Sequence, residues 1–197
     1  MHFPSSILSV GLLTILCGGC VSANEVLVWP LPDAQNRPTP LSFGLYVTPD
    51  PEQNPIDPPE RFTGFHTAVD FEVFEEEADL EVPVFAICSG KVLTSGAAEG
   101  YGGVVITRCR IQGKNATVLY GHVDLEVLPK VGSSVKAGEK IGVLAAARSV
   151  GSDGNRKHLH LGIHKGTAID YLGYVQTEKE LEEFIDPLTV LPSRIPL

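Results

Sequence analysis

The run Arg156-Lys157-His158-Leu159-His160-Leu161-Gly162-Ile163-His164 alternates histidine with aliphatic side chains. A period of two is that of a strand with one face in a core and the other turned away from it. Read so, His158, His160 and His164 share one face, and Leu159, Leu161 and Ile163 share the other. His158 and His160 are then neighbours about 7 Å apart along the strand. Imidazole is the commonest metal ligand and the side chain best suited to proton transfer near neutral pH. Taken alone, a His-x-His strand is as easily a polar, exposed strand as a site.

A second stretch makes the same suggestion. In Gly64-Phe65-His66-Thr67-Ala68-Val69-Asp70-Phe71, the residues Phe65, Val69 and Phe71 alternate with His66 and Asp70. Residues i and i+4 share a face on a strand and on a helix alike. His66, Asp70 and one histidine of the later pair form a two-His, one-carboxylate set. Such a set is a common catalytic zinc shell, with a fourth position left for water or substrate. A further histidine, His122, follows an apolar run in Tyr120-Gly121-His122-Val123.

These three segments, in this order, resemble the M23 family of zinc metallopeptidases, the lysostaphin and LytM-type peptidoglycan endopeptidases. The family pattern is H-x-x-x-D, a histidine in a Tyr-x-His context, then H-x-H. The resemblance extends over roughly residues 29 to 190. It implies a mainly β fold: an antiparallel sheet domain of the duplicated hybrid motif type with one short C-terminal helix. It implies His66, Asp70 and His160 as ligands of one Zn2+ per chain, and His122 and His158 as the catalytic pair. The implied substrate is a peptide cross-link or stem of peptidoglycan. The alternative is a non-catalytic LytM-like module that regulates other cell-wall hydrolases. Such degenerate members lose metal ligands, whereas all five positions are intact here. His164 lies outside the pattern and is read as an exposed or hydrogen-bonded side chain. Neither a Gly-x-Ser-x-Gly nor a His-Glu-x-x-His motif occurs, so serine-hydrolase and zincin mechanisms have no support.

Charge narrows the partners. With 197 residues, 43% hydrophobic, the chain suits one domain with a substantial core. A net charge of −9 makes nucleic acid an unsuitable partner. A monomer is expected.

Residues 1–23 carry no Lys, Arg, Asp or Glu, and Ile7 to Leu16 is an apolar core too short to span a bilayer. This pattern is that of a secretory signal peptide, though without the usual basic residue at its start. Two processing routes fit. Val21-Ser22-Ala23 is a small-x-small cleavage site, whereas Gly18-Gly19-Cys20 resembles the end of a lipobox, with Cys20 lipidated as the membrane attachment. Either places the protein in the periplasm or outside the cell. Export also favours a disulfide between Cys88 and Cys109, the cysteines remaining after the leader; two buried free thiols are the other reading.

The rest is organised around this core pattern. Residues 24–60 form a proline-rich, extended lead-in, and 61–197 the domain proper. Glu75-Glu76-Glu77 and Asp79 form a solvated charge run. Strands are expected at Val82–Ile87, Ser89–Leu93, Val104–Thr107 and Ala116–Tyr120. Val131–Gly142 resembles the family's Val-Gly bend, with Val131, Val135 and Ile141 in the core. A helix is expected over Glu178–Phe184, with Thr177 as N-cap and Asp186-Pro187 closing it. Ala145–Lys157 is a polar loop with Gly151 and Gly154 that departs from the family pattern, which usually has Ser-Thr-Gly and then Gly-Pro before H-x-H. Leu161-Gly162 also replaces the frequent Phe-Glu.

Overall fold

A computed structural model describes residues 25–193. The leader, with Cys17 and Cys20, lies outside the described residues. The described residues form eleven strands: β1 (Tyr46–Val47), β2 (Gly64–His66), β3 (Ala68–Glu72), β4 (Pro83–Phe85), β5 (Gly90–Ala98), β6 (Gly102–Ile111), β7 (Lys114–Gly121), β8 (Ser134–Val135), β9 (Lys140–Val143), β10 (His158–Lys165) and β11 (Tyr174–Val175). Six form one antiparallel sheet in the order β3-β10-β7-β6-β5-β8. A three-stranded sheet, β1-β2-β11, and the pair β4-β9 complete the architecture.

The large sheet has two covered faces. One side of β10 sends Leu159, Leu161 and Ile163 into the main core with Phe71, Val105, Val118 and Tyr120. Trp29 of the lead-in meets Phe71 edge-on, with ring centroids 6.4 Å apart. Proline-rich chain thus packs on the same core, where Leu31, Leu41 and Val47 are buried. The other face carries a smaller cluster of Tyr101, Val104, Ile106 and Leu119. That face also holds His158 and His160, as period-two alternation requires.

Turn chemistry sets the meander β5-β6-β7. Ile111 pairs with Lys114, leaving Gln112-Gly113 as a two-residue loop with φ of 51° and 77°. Positive φ at both positions is the type I′ signature, whose twist matches that of the flanking strands. Cys88 and Cys109 are joined by a disulfide, Cα–Cα 6.2 Å, tying the start of β5 to the end of β6.

Four local expectations are corrected. Residues 64–71 are not one strand: the chain leaves the small sheet after His66 and enters the large sheet at Ala68. Thr67 marks the break, its N–H bonded to Gly173 O and its hydroxyl to Leu172 O. Val131 is 54% exposed, because the turn at Gly132 points it outward while Val135 and Ile141 fill the core. The C-terminal helix spans only Glu178–Leu181, capped as expected by Thr177, which accepts from Glu180 N. Asp186-Pro187 opens a second short helix, Pro187–Val190, with Asp186 as its N-cap. Proline at the first helical position costs no hydrogen bond, so it starts a helix as readily as it ends one.

The acidic run is only partly solvated. Glu77 is gripped by Arg37, whose Nη2 lies 2.8 Å from its Oε1, and Arg37 is buried.

Closure of the 21-residue separation by the disulfide restricts the unfolded chain. Replacing Cys88 and Cys109 together by serine should lower stability by about 3 kcal/mol, read from denaturant midpoints. Thiol titration of the exported, unreduced protein should find neither Cys88 nor Cys109 reactive.

Candidate metal centre and groove

Backbone register begins the site. His160 of β10 pairs with Asp70 of β3 on one side and with Gly121 of β7 on the other. Directly opposed residues hold their Cβ atoms about 5 Å apart, so Asp70 meets His160 across the ladder. His66 arrives differently. Four residues of straight strand would carry it about 13 Å from Asp70. The break at Thr67 folds it back instead, leaving His66 Nε2 only 3.4 Å from Asp70 Oδ1.

Three donor atoms then converge. His160 Nδ1 lies 3.1 Å from Asp70 Oδ1 and 3.2 Å from His66 Nε2. Ligand atoms of a tetrahedral zinc ion with bonds of about 2.0–2.1 Å stand about 3.3–3.4 Å apart. All three residues are buried, and Asp70 Oδ1 has no hydrogen-bond donor among the described residues. A buried carboxylate oxygen without a donor is costly unless a cation takes that place. The donor set and its spacing therefore fit a divalent transition ion.

Neighbours select the ring tautomers. Ser42 O lies 3.3 Å from His66 Nδ1. A carbonyl only accepts, so Nδ1 carries the proton and Nε2 offers its lone pair to the centre. His160 Nε2 faces the Tyr101 hydroxyl at 3.4 Å, leaving Nδ1 for the centre. Burial pulls the His160 pKa down to about 4, against the opposing pull of Asp70. Burial pushes the Asp70 carboxyl upward, but His158 and His66 more than offset this and hold it well below the usual range. Neutral imidazole and ionised carboxylate are the protonation states that bind metal.

His122 and His158 stand beside this triad and not in it. Their rings are stacked at a tilt, centroids 4.3 Å apart. His158 Nδ1 donates to Arg156 O at 3.0 Å, which turns Nε2 toward Asp70 Oδ2 at 3.2 Å. His122 follows Gly121 with φ of 60°, a left-handed conformation uncommon outside glycine. Its Nδ1 has no partner among the described residues. Burial, then the neighbouring His158 and His160, hold its pKa well below the ordinary histidine value. His164 stands apart: its Nε2 faces Asp170 at 3.6 Å and its ring meets Phe184.

The site opens into a groove of about 610 Å³, bordered by Glu60, Arg61, Phe62, Asp153, Tyr171 and Tyr174 among others. Several of its shaping residues are absent from the histidine pattern. Tyr101 is wedged over His160, and a Cβ on Gly121 would stand 2.5 Å from its ring. Gly173 leaves room for the Tyr101 hydroxyl in the same way, at 2.8 Å. Burial, reinforced by Asp70 and Asp170, raises the Tyr101 pKa, so the phenol stays protonated. Tyr174 covers His66 at 5.2 Å between centroids and stacks on Phe62 at 5.4 Å. A lone aromatic among three glycines, Gly100-Tyr101-Gly102-Gly103, is the signal that could have singled out Tyr101. Arg156 could have been found from its place two residues before His158, in step with the alternation.

The chain is thus a mainly antiparallel β domain with a buried His-Asp-His cluster, able to hold a metal ion, at the floor of a groove. The comparisons agree at the level of family. Residues 64–171 match the model of peptidase family M23, and the chain belongs to that family. The catalytic domain of lysostaphin from Staphylococcus simulans has the same fold, with TM-score 0.52 and 22% identity over 79% of this chain and 92% of that one. A structure of CbpA from L. salivarius REN superposes at TM-score 0.51 with 23% identity, covering 82% and 92%. Csd3 of Helicobacter pylori superposes at 0.51 with 22% identity over 85% of this chain, which spans only 35% of Csd3. No curated protein sequence matches the chain.

The pKa shifts set a pH dependence. His160 titrates near 6.5 when unfolded and about 4 when folded, so between these values the unfolded chain binds more protons. Stability of the metal-free protein is therefore complete above about 6.5 and declines as pH falls toward 4. His122 adds a loss of the same sign, and Asp70 a further one below the usual carboxylate range. Melting temperatures in chelator should trace this fall, and His160→Gln should flatten it.

Proposed function

We propose that the chain is a zinc-dependent endopeptidase that hydrolyses peptide bonds in peptidoglycan cross-links or stems. It acts outside the cytoplasm, as a monomer, after export directed by residues 1–23. The observation that carries this reading is the convergence of three donor atoms within 3.1–3.4 Å beside two further buried histidines at an open groove. Family membership supports peptidase chemistry, and the peptidoglycan substrate follows from the resemblance.

His66 Nε2, Asp70 Oδ1 and His160 Nδ1 would hold the ion. When bound, zinc supplies a Lewis acid for the scissile carbonyl and lowers the pKa of water toward 7. The chain's own groups do the rest. His122 is kept neutral by burial, so it can accept a proton at neutral pH. His158, its Nδ1 committed to Arg156 O, has Nε2 beside Asp70 Oδ2 and its ring against His122 at the edge of the groove. One of the two takes the proton of the attacking water and the other stabilises charge on the carbonyl oxygen. Phe62, Tyr171 and Tyr174 present flat, partly apolar walls along which a peptide can lie.

Zinc analysis and clearing of purified wall fragments, with and without chelator, test this on four proteins. His160→Ala should lose both metal and activity. His122→Ala and His158→Ala should keep near-normal zinc yet lose hydrolysis by about a hundredfold to ten-thousandfold. Loss of zinc from His158→Ala would reassign the pair. A wild type that binds zinc but clears no wall material, with no peptide released by mass, would favour the regulatory module.

A further inference from the structure

Asp70 turns its two oxygens to different environments. Oδ1 faces His66 and His160 without a hydrogen-bond donor among the described residues. Oδ2 accepts Arg156 Nη2 at 2.7 Å and has His158 Nε2 beside it at 3.2 Å. Arg156 is itself immobilised from three sides. Its Nε donates to Glu72 at 2.9 and 3.1 Å, Nη2 also lies 2.8 Å from Glu72, and Nη1 bonds the buried Glu60. The guanidinium thus uses three nitrogens on three carboxylates, a geometry that its planar fork allows and an ammonium does not.

The placement follows from the ladder. His158 pairs with Glu72 and His160 with Asp70, so Arg156, two residues before β10 begins, comes beside both acids. Lys157, one residue on and pointing elsewhere, donates to Glu77 O and Ala78 O at 3.0 and 3.2 Å. The two basic residues before His158 therefore do separate jobs. Lys157 ties down the 77–80 turn, and Arg156 reaches the metal-binding carboxylate.

A carboxylate can bind a cation through one oxygen or both. Chelation through both would consume coordination room that a hydrolytic centre needs open for substrate. We infer that Arg156 is a positioning residue for the metal centre: by occupying Asp70 Oδ2 it restricts Asp70 to one-oxygen coordination through Oδ1 and keeps the remaining position open. This rests on the metal-centre reading above. Arg156 touches neither ion nor substrate in this role and acts through Asp70.

Charge alone makes the opposite prediction, which gives the test its sign. Removing a nearby cation should tighten metal binding if Arg156 acts only through its field. Removing an orienting partner should weaken it by about 10–100-fold. The full-length exported chain is titrated with Co2+ as wild type, Arg156→Gln and Arg156→Lys, with visible absorption for coordination number and chelator competition for affinity. Folding is checked by near-ultraviolet circular dichroism. Wild type should give the intense bands of four-coordinate cobalt. Both variants should show weaker, shifted bands of higher coordination and reduced affinity, because lysine restores the charge but not the fork. If Arg156→Gln fails to fold, Arg156→Lys bears the same test. Unchanged spectrum with equal or tighter binding in a folded variant overturns the assignment alone. Wild type without cobalt binding overturns the metal-centre reading and this assignment with it.

Discussion

Strand β10 is hydrogen-bonded along both edges, and the register of those two ladders is the constraint on which the centre depends. His160 faces Asp70 on one side and Gly121 on the other. A slip of one residue would turn Leu159 and Leu161 toward the groove and the histidines into the apolar core. Leu159, Leu161 and Ile163 are fully buried, so the hydrophobic effect opposes any such slip. Core packing on one face therefore fixes the chemistry on the other. The absent side chain at Gly121 is part of the same arrangement, since it admits the ring of Tyr101 against His160.

Burial does the electrostatic work. Inside the sheet, desolvation keeps His160 and His122 neutral, while the neighbouring histidines His158 and His66 offset burial and keep Asp70 ionised. A centre of this kind binds protons poorly and is left competent for metal. Arg156 is surrounded by Glu60, Asp70 and Glu72, so the network carries more negative than positive charge. Buried ion pairs are weak sources of stability. Here the network's consequence is orientation: it joins β3, the start of β10 and the end of the proline-rich segment in a single set of hydrogen bonds.

Several elements were legible from the chain alone, for physical reasons. Alternation over His158–Ile163 announces a strand with one apolar face, because a pleated backbone can bury only every second side chain. Thr177 followed by Glu180 announces a helix start, since each side chain satisfies the other's free backbone group. Cys88 and Cys109 were paired by export and by elimination, and the antiparallel meander holds them together. The donor types and their order in the chain carry the family's mark, which residues 64–171 bear out.

Tertiary structure decided what spacing cannot express. His66 and Asp70 share a face in any regular structure, yet on a straight strand they are too far apart to hold one ion. Only the passage from one sheet to another at Thr67 closes that distance. Val131 looked like core because it is a valine in an apolar pattern, but the turn at Gly132 faces it outward. Asp186-Pro187 fits a helix end and a helix start equally, and the following chain chose the start. Tyr174 and Glu60 carry no periodic signal, and their roles, like those of Tyr101 and Arg156, come from residues far away in sequence. Local pattern reports which face a side chain occupies; contact between distant segments depends on register and bends, which are settled by packing the whole chain.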